Sequence, residues 1–230
     1  MNADNPTQQQ TPRTQPKIPR TIWVLVGAAF IIALGYGLIA PVLPQFAGSF
    51  GVSMAAAGAV TSIFALARLL GAPGAGRLVD RLGSRPIYLT GLLIVAASTF
   101  FVAFAQVYWQ ILALRFIAGF GSTMFTLSAQ ALIVRVTHPS IRGRANALYA
   151  SAFLVGNVVG PVIGAALSFL GFRAPFVIYG IAVAGAAVAV GALTQPKPGS
   201  EPLPAAKPKM RVRQAWQSST YKALLAAGFT

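Results

Sequence analysis

The sequence predicts an all-α membrane protein, a bundle of six transmembrane helices, and three observations carry that expectation. Of the 230 residues, 56% are hydrophobic and only 9% charged, where soluble domains carry about a quarter charged residues. Six apolar segments, at about 22–44, 55–75, 87–106, 110–134, 147–170 and 174–194, each reach the roughly 20 residues a helix needs to cross hydrocarbon. Their lengths are about twice those of a barrel strand and their polarity does not alternate, so helices are the natural spanning structure. The cations are also partitioned. Of 18 Lys and Arg, Arg173 alone lies in an outer loop, and Arg68 and Arg115 lie inside spans. The remainder fall in the tails and in alternate loops, which by the positive-inside rule places both termini in the cytoplasm.

A formal net charge of +15 suggests nucleic acid in a soluble protein. Here the charge is divided among four short juxtamembrane patches rather than gathered on one face, so no nucleic-acid partner is expected. There is no cysteine, which excludes disulfides and thiol chemistry, and one histidine with three acids leaves little for a metal site. No cofactor is called for. Intramembrane proteolysis or acyl transfer needs paired Asp, Ser–His or metal-ligand groups that the spans do not contain, so an enzyme is not expected.

Taken in order, residues 1–21 are rich in Pro, Gln and Thr and read as a disordered cytoplasmic tail. They are not a secretory leader, because the apolar run that follows is too long and lacks a small-residue exit site. Span one ends on Gly35-Tyr-Gly-Leu-Ile-Ala-Pro41-Val-Leu-Pro44. Span two holds Arg68, for which two readings stand: it snorkels inward or it faces a cavity. Between spans two and three, residues 76–86 spell Gly-Arg-Leu-Val-Asp-Arg-Leu-Gly-Ser-Arg-Pro, expected to be a short charged turn at the bilayer surface whose glycines permit a tight bend. Asp80, the sole acid outside the tails, can accept hydrogen bonds from arginines or exposed helix-end amides. By composition alone this is also a generic positive-inside loop.

In span four, Arg115 begins a face that continues through Gly119, Ser122 and Thr126, a small and polar stripe at helical spacing. An arginine in hydrocarbon costs a few kcal/mol unless it snorkels or faces a wet cavity; both readings remain on the residues alone. Gly119 and Gly121 form a G-x-G without a preceding strand, which rules out a dinucleotide fingerprint. His138, in the loop before Pro139-Ser-Ile-Arg142-Gly143-Arg144-Ala145, is expected to be a solvated residue. In span five, Ala152, Gly156, Gly160, Gly164 and Ser168 fall on one ridge, smooth enough for a second helix to approach at backbone distance, and Pro161 removes one internal hydrogen bond and invites a bend. Tight outer turns at 107–109 and 171–173 are expected to make their flanking helices antiparallel neighbours. Residues 22–194 are thus the transmembrane bundle, 195–215 a basic, Pro-rich cytoplasmic linker, and 216–230 the start of a seventh helix too short to cross a bilayer, as in an incomplete copy of a chain about twice as long.

Several of these strings together resemble the major facilitator superfamily, over roughly residues 20–195. Gly76, Leu78, Asp80, Arg81, Gly83 and Arg85 match the element usually written G-x-L-x-D-R-x-G-R-R, with Ser84 departing from it. Arg115-Phe-Ile-Ala-Gly119-Phe-Gly121 resembles the R-x-x-x-G-x-G element. Gly156-Asn-Val-Val-Gly160-Pro161-Val-Ile-Gly164 resembles the G-x-x-x-G-P-x-x-G-G element of the drug–proton antiporter branch, with Ala165 replacing the last glycine. The resemblance implies the N-terminal half of a major facilitator fold, two inverted three-helix repeats, in a bacterial inner or plasma membrane. It implies small-molecule efflux by alternating access with a second six-helix half, whether a missing segment, a separate chain or a homodimer mate. It further implies a gating role for Gly76, Asp80, Arg81, Gly83 and Arg85; a central cavity lined by Tyr36, Arg115, Thr126 and Gln130; and helix geometry set by Gly156, Gly160, Pro161 and Gly164. The alternative is a non-transporting half-transporter that acts as a structural or regulatory membrane partner. One departure matters: the spans contain no Asp, Glu or His, so proton coupling needs a group from the second half, or the carrier is not proton-coupled.

Overall fold

The computed structural model describes residues 18–194; the expected linker at 195–215, the seventh-helix start at 216–230 and most of the N-terminal tail lie outside the described residues. Among the described residues, six helices are long and apolar enough to cross a membrane. They are α1 (Arg20–Gly48), α2 (Met54–Leu82), α3 (Ser84–Val102), α4 (Tyr108–Val136), α5 (Arg142–Ala166) and α6 (Ala174–Leu193), with 3₁₀ turns at Pro139–Ile141 and Ser168–Leu170. The helix starts at Arg20, so the end of the expected tail is already helical. Connections this short cannot recross about 30 Å of hydrocarbon, so consecutive helices alternate in direction.

The packing partners are not the sequence neighbours alone. Helix α1 packs chiefly on α5 and also on α6 and α2, while α4 packs on α3 and α2, and α3 packs on α6. Exchanging α1 with α4, α2 with α5 and α3 with α6 maps α1–α5 onto α4–α2, α3–α4 onto α6–α1 and α1–α2 onto α4–α5. Because α1 and α4 run in opposite directions, these are two inverted three-helix repeats.

Lipid gives helices no hydrophobic reason to associate, so close backbone approach at small residues supplies the attraction. The expected ridge on α5 lies against α1. A Cβ on Gly156 would stand 2.6 Å from the Phe30 carbonyl oxygen, one on Gly160 2.7 Å from the Gly37 Cα, and one on Gly164 3.0 Å from the Leu38 carbonyl oxygen. Pro161 takes part in the same crossing, its Cδ 2.7 Å from where a Gly37 Cβ would be. Ala152 is half-buried on the ridge. Similar crossings join α3 to α4 at Gly91 and Gly121, and α4 to α2 at Gly119.

Two expectations need correction. The charged string 76–86 is not a loop: α2 continues through Gly76, Asp80 and Arg81 to Leu82, and α3 resumes at Ser84. Gly83, with φ +90°, is the whole connection, because Leu78, Val79 and Leu82 keep the apolar period going and only a glycine enters that backbone region at low cost. Gly76 therefore supplies no turn. The second correction concerns the turn at 171–173. Helices α3 and α4 are antiparallel neighbours as expected, but α5 and α6 scarcely touch. The α5 glycine ridge draws that helix to α1, and the connection at 167–173 lets the pair separate.

Candidate functional site

A polar cluster at mid-depth is built from α1, α2 and α4, while Asn157 of α5 donates to the Phe153 carbonyl of its own helix. Arg68 lies at the midpoint of α2 and Ser122 at that of α4, with Tyr36 close to the midpoint of α1. The Tyr36 hydroxyl donates to Ser122 Oγ at 2.9 Å, tying the first helices of the two repeats. Around the Tyr36 ring stand Phe64 from α2 (centroids 5.8 Å, edge-on), Phe153 from α5 (6.4 Å) and Tyr179 from α6 (6.2 Å). One tyrosine thus touches four other helices.

Arg115 is 6% exposed, and its guanidinium carbon lies 4.5 Å from the centroid of the Phe64 ring. The ring face offsets part of the cost of burying the cation. Its Nε is buried and has no hydrogen-bond partner, so Arg115 is directed inward and does not snorkel.

Below it opens a cleft of about 440 Å³ between α2 and α4, lined by Phe64, Ala65, Arg68, Leu69, Ala72, Thr123, Thr126 and Leu127. Arg68 is exposed there. Both threonines satisfy their hydroxyl protons on backbone: Thr126 Oγ1 donates to the Ser122 carbonyl at 2.7 Å, and Thr123 Oγ1 to the Arg68 carbonyl at 3.0 Å, a direct α4–α2 link. Their oxygens keep lone pairs for a donor. The cleft is apolar with a few convergent polar groups, as ligand sites are.

Of the residues expected in a cavity, the structure brings Tyr36, Arg115 and Thr126 together around Phe64 and Ser122. Gln130 is exposed one turn beyond Thr126 and is not among the residues lining this cleft. Sequence reasoning missed Phe64 and Thr123. Phe64 stands one helical turn before Arg68, a spacing that places both on one face, and that was the signal available for it.

The residues expected to gate are spread along the α2–α3 corner. Asp80 and Arg81 are exposed in the last turn of α2 and Gly83 is the joint. Arg85 has a defined partner that the sequence did not reveal: Nη2 donates to the Gly191 carbonyl at 2.6 Å and Nε to Thr194 Oγ1 at 3.2 Å. It caps the end of α6, where unsatisfied carbonyls and the helix dipole favour a cation. His138 is exposed and organises its own turn through Ser140, in accord with a solvated role. Among the described residues no group of His, Cys, Asp or Glu could hold a metal ion.

The fold and the cleft define an all-helical bundle suited to a membrane, with a polar cluster and an apolar cleft near its mid-depth. The family model for the Major Facilitator Superfamily matches residues 25–230. The chain is 34% identical over 167 residues to the multidrug resistance protein MdtG of Escherichia fergusonii and to that of Salmonella arizonae, covering 70% of this chain and 41% of each relative. The crystal structure of the human organic anion transporter MFSD10 (TETRAN) superposes with a TM-score of 0.66 at 23% identity, over 77% of this chain and 48% of that one. The peptide transporter POT in complex with sulfate superposes with a TM-score of 0.72 at 15% identity, over 92% and 45%. At such identities the two structures show a shared fold. The chain belongs to the Major Facilitator Superfamily, and it spans less than half the length of the curated relatives it matches.

Proposed function

We propose that the protein is a small-molecule efflux carrier of the major facilitator type, in which this six-helix bundle and a second six-helix half give alternating access to the mid-depth cleft. The observation that carries the reading is the polar cluster of Tyr36, Ser122 and Arg68 halfway through the hydrocarbon, with Arg115 buried about two helical turns nearer the start of α4, where polar groups are expensive and mark a substrate path. The similarity to multidrug resistance proteins supports export as the direction. Both termini are cytoplasmic in this reading and the membrane is a bacterial inner membrane.

Asp80 and Arg81 gate the cycle in concert with the Gly83 joint, and Gly156, Gly160, Pro161 and Gly164 hold α5 against α1 while other helices move. The second half is a further segment, a separate polypeptide or a second copy. Helices α2 and α5, the least covered in the bundle, present large apolar side chains such as Leu69, Leu70, Val158 and Val162 to it. Those same faces favour the second reading, a half-transporter that binds a partner without moving cargo.

Flux into proteoliposomes separates the two. The 230-residue chain alone is expected to give no saturable transport, and the chain joined to a matching second half is expected to give it. Saturable flux by a proven monomer of the chain overturns the need for a second half, and a joined pair that moves no solute overturns the carrier reading.

A further inference from the structure

We propose that the α2–α4 cleft takes an organic anion, a compact apolar body bearing one carboxylate or sulfonate, with Arg68 as the primary counter-charge and Arg115 as a second positive centre behind Phe64. The inference rests on reading this cleft as the cargo site and adds the charge class of the cargo.

The first argument is charge balance. Arg68 lines the cleft and is exposed to it, and Arg115 is stacked on the wall residue Phe64 with a buried Nε that nothing accepts from. The one acidic residue among those described, Asp80, sits in the last turn of α2, roughly 18 Å along the helix from Arg68 at 1.5 Å per residue. Two cations in a low-dielectric setting, with no carboxylate at their depth, create a field that attracts an anion and repels a cation. Arg115 does not line the cleft, so it acts on the anion through the field and not by contact.

Shape gives the second argument. Apart from Arg68 and the two threonines, the lining is Phe64, Ala65, Leu69, Ala72 and Leu127. An aromatic or aliphatic body fits those walls, and the oxyanion reaches the guanidinium, which is suited to a planar, bidentate acceptor.

Depth excludes the competing anion, a lipid headgroup. Arg68 is midway along the 29-residue α2, roughly 21 Å from either end, beyond the reach of a snorkelling arginine side chain. A headgroup phosphate does not descend to the bilayer centre, whereas a soluble anion enters from the aqueous mouth of a carrier.

The test is equilibrium binding of radiolabelled 2-naphthalenesulfonate to the purified chain in phosphatidylcholine nanodiscs, with empty discs as background and 2-naphthyltrimethylammonium as a ligand of like shape and opposite charge. The inference expects saturable binding of the sulfonate and none of the ammonium. Arg68→Gln is expected to weaken binding at least about tenfold, the loss of a charge-assisted hydrogen bond, and Arg68→Lys to retain most of it. Each variant is checked for the same elution volume and melting temperature, so that a folding defect is not read as lost affinity. Absent sulfonate binding, tighter binding of the ammonium, or an Arg68→Gln variant that binds as well as the parent each overturns the proposal. Loss of sulfonate binding when the discs contain phosphatidylglycerol also overturns it, in favour of a lipid ligand. None of these outcomes requires transport, so the flux measurement decides the carrier reading separately.

Discussion

Gly76 and Gly83 are both glycines of the motif shared with the superfamily, yet they do different physical work. A Cβ on Gly76 would meet nothing within 4 Å and the residue is helical, so Gly76→Ala is expected to leave the melting temperature unchanged or to raise stability by about 0.5–1 kcal/mol. Gly83 at φ +90° and ψ 158° sits in an extended positive-φ region essentially reserved to glycine, and Gly83→Ala is expected to cost about 1–3 kcal/mol. Thermal denaturation of the two variants side by side checks the contrast. Tyr36→Phe removes the hydroxyl that donates to Ser122 and keeps the aromatic surroundings. It is expected to cost about 0.5–1.5 kcal/mol, read as a downward shift of the same transition. Much at this scale was legible in the sequence, since Arg115, Tyr36 and Thr126 carry polarity where hydrocarbon makes it costly. Arg85 was not. Its acceptors at Gly191 and Thr194 are more than a hundred residues away, and no local pattern announces a partner at that separation.

At the scale of elements, the α1–α5 crossing is the best-defined interface. The four-residue period of Gly156, Gly160 and Gly164 disclosed a smooth face in advance, but α1 as its partner was not deducible from one helix. Gly160→Ala places a methyl group against the Gly37 Cα and the Leu38 amide, backbone that cannot swing aside. It is expected to cost about 1–3 kcal/mol, whereas Gly27→Ala on the same α1, with nothing within 4 Å, is expected to be neutral or slightly stabilising. The cap on α6 gives a local prediction. Arg85→Ala leaves the last carbonyls of α6 without their cation, and amide exchange in the final turn of that helix is expected to quicken by roughly tenfold while the α1–α5 crossing keeps its protection. The existence of all six helices was readable from hydropathy. Their ends were less so, because Arg and Asp continue a helix into the headgroup region as readily as they form a loop.

At the scale of the described bundle, six helices that alternate in direction are expected to put successive connections on opposite faces of the membrane. With no native cysteine, single-cysteine variants report this cleanly. His138→Cys, between α4 and α5, and Phe172→Cys, between α5 and α6, are both exposed positions and are expected to react with a membrane-impermeant maleimide from opposite sides. Labelling of both from one side overturns the topology. The repeat architecture was accessible from sequence as a resemblance, but the exchange symmetry of the helix contacts appears only in three dimensions. Each triplet buries its first helix against the middle helix of the other, and no stretch of sequence contains that rule.

One consequence follows from the corner at Gly83. Helices α2 and α3 are consecutive yet share little packing, and Gly83 alone joins them, so any change of the angle between them falls on a single pair of torsion angles. A swing of about 10° there sweeps the far end of a rod roughly 42 Å long through roughly 7 Å, while Arg68, halfway out, travels about half that distance. Any rotation at that corner would therefore carry a mid-membrane cation sideways, and α4 with it through the Thr123–Arg68 bond, so the geometry of the knee sets the stroke of the charge.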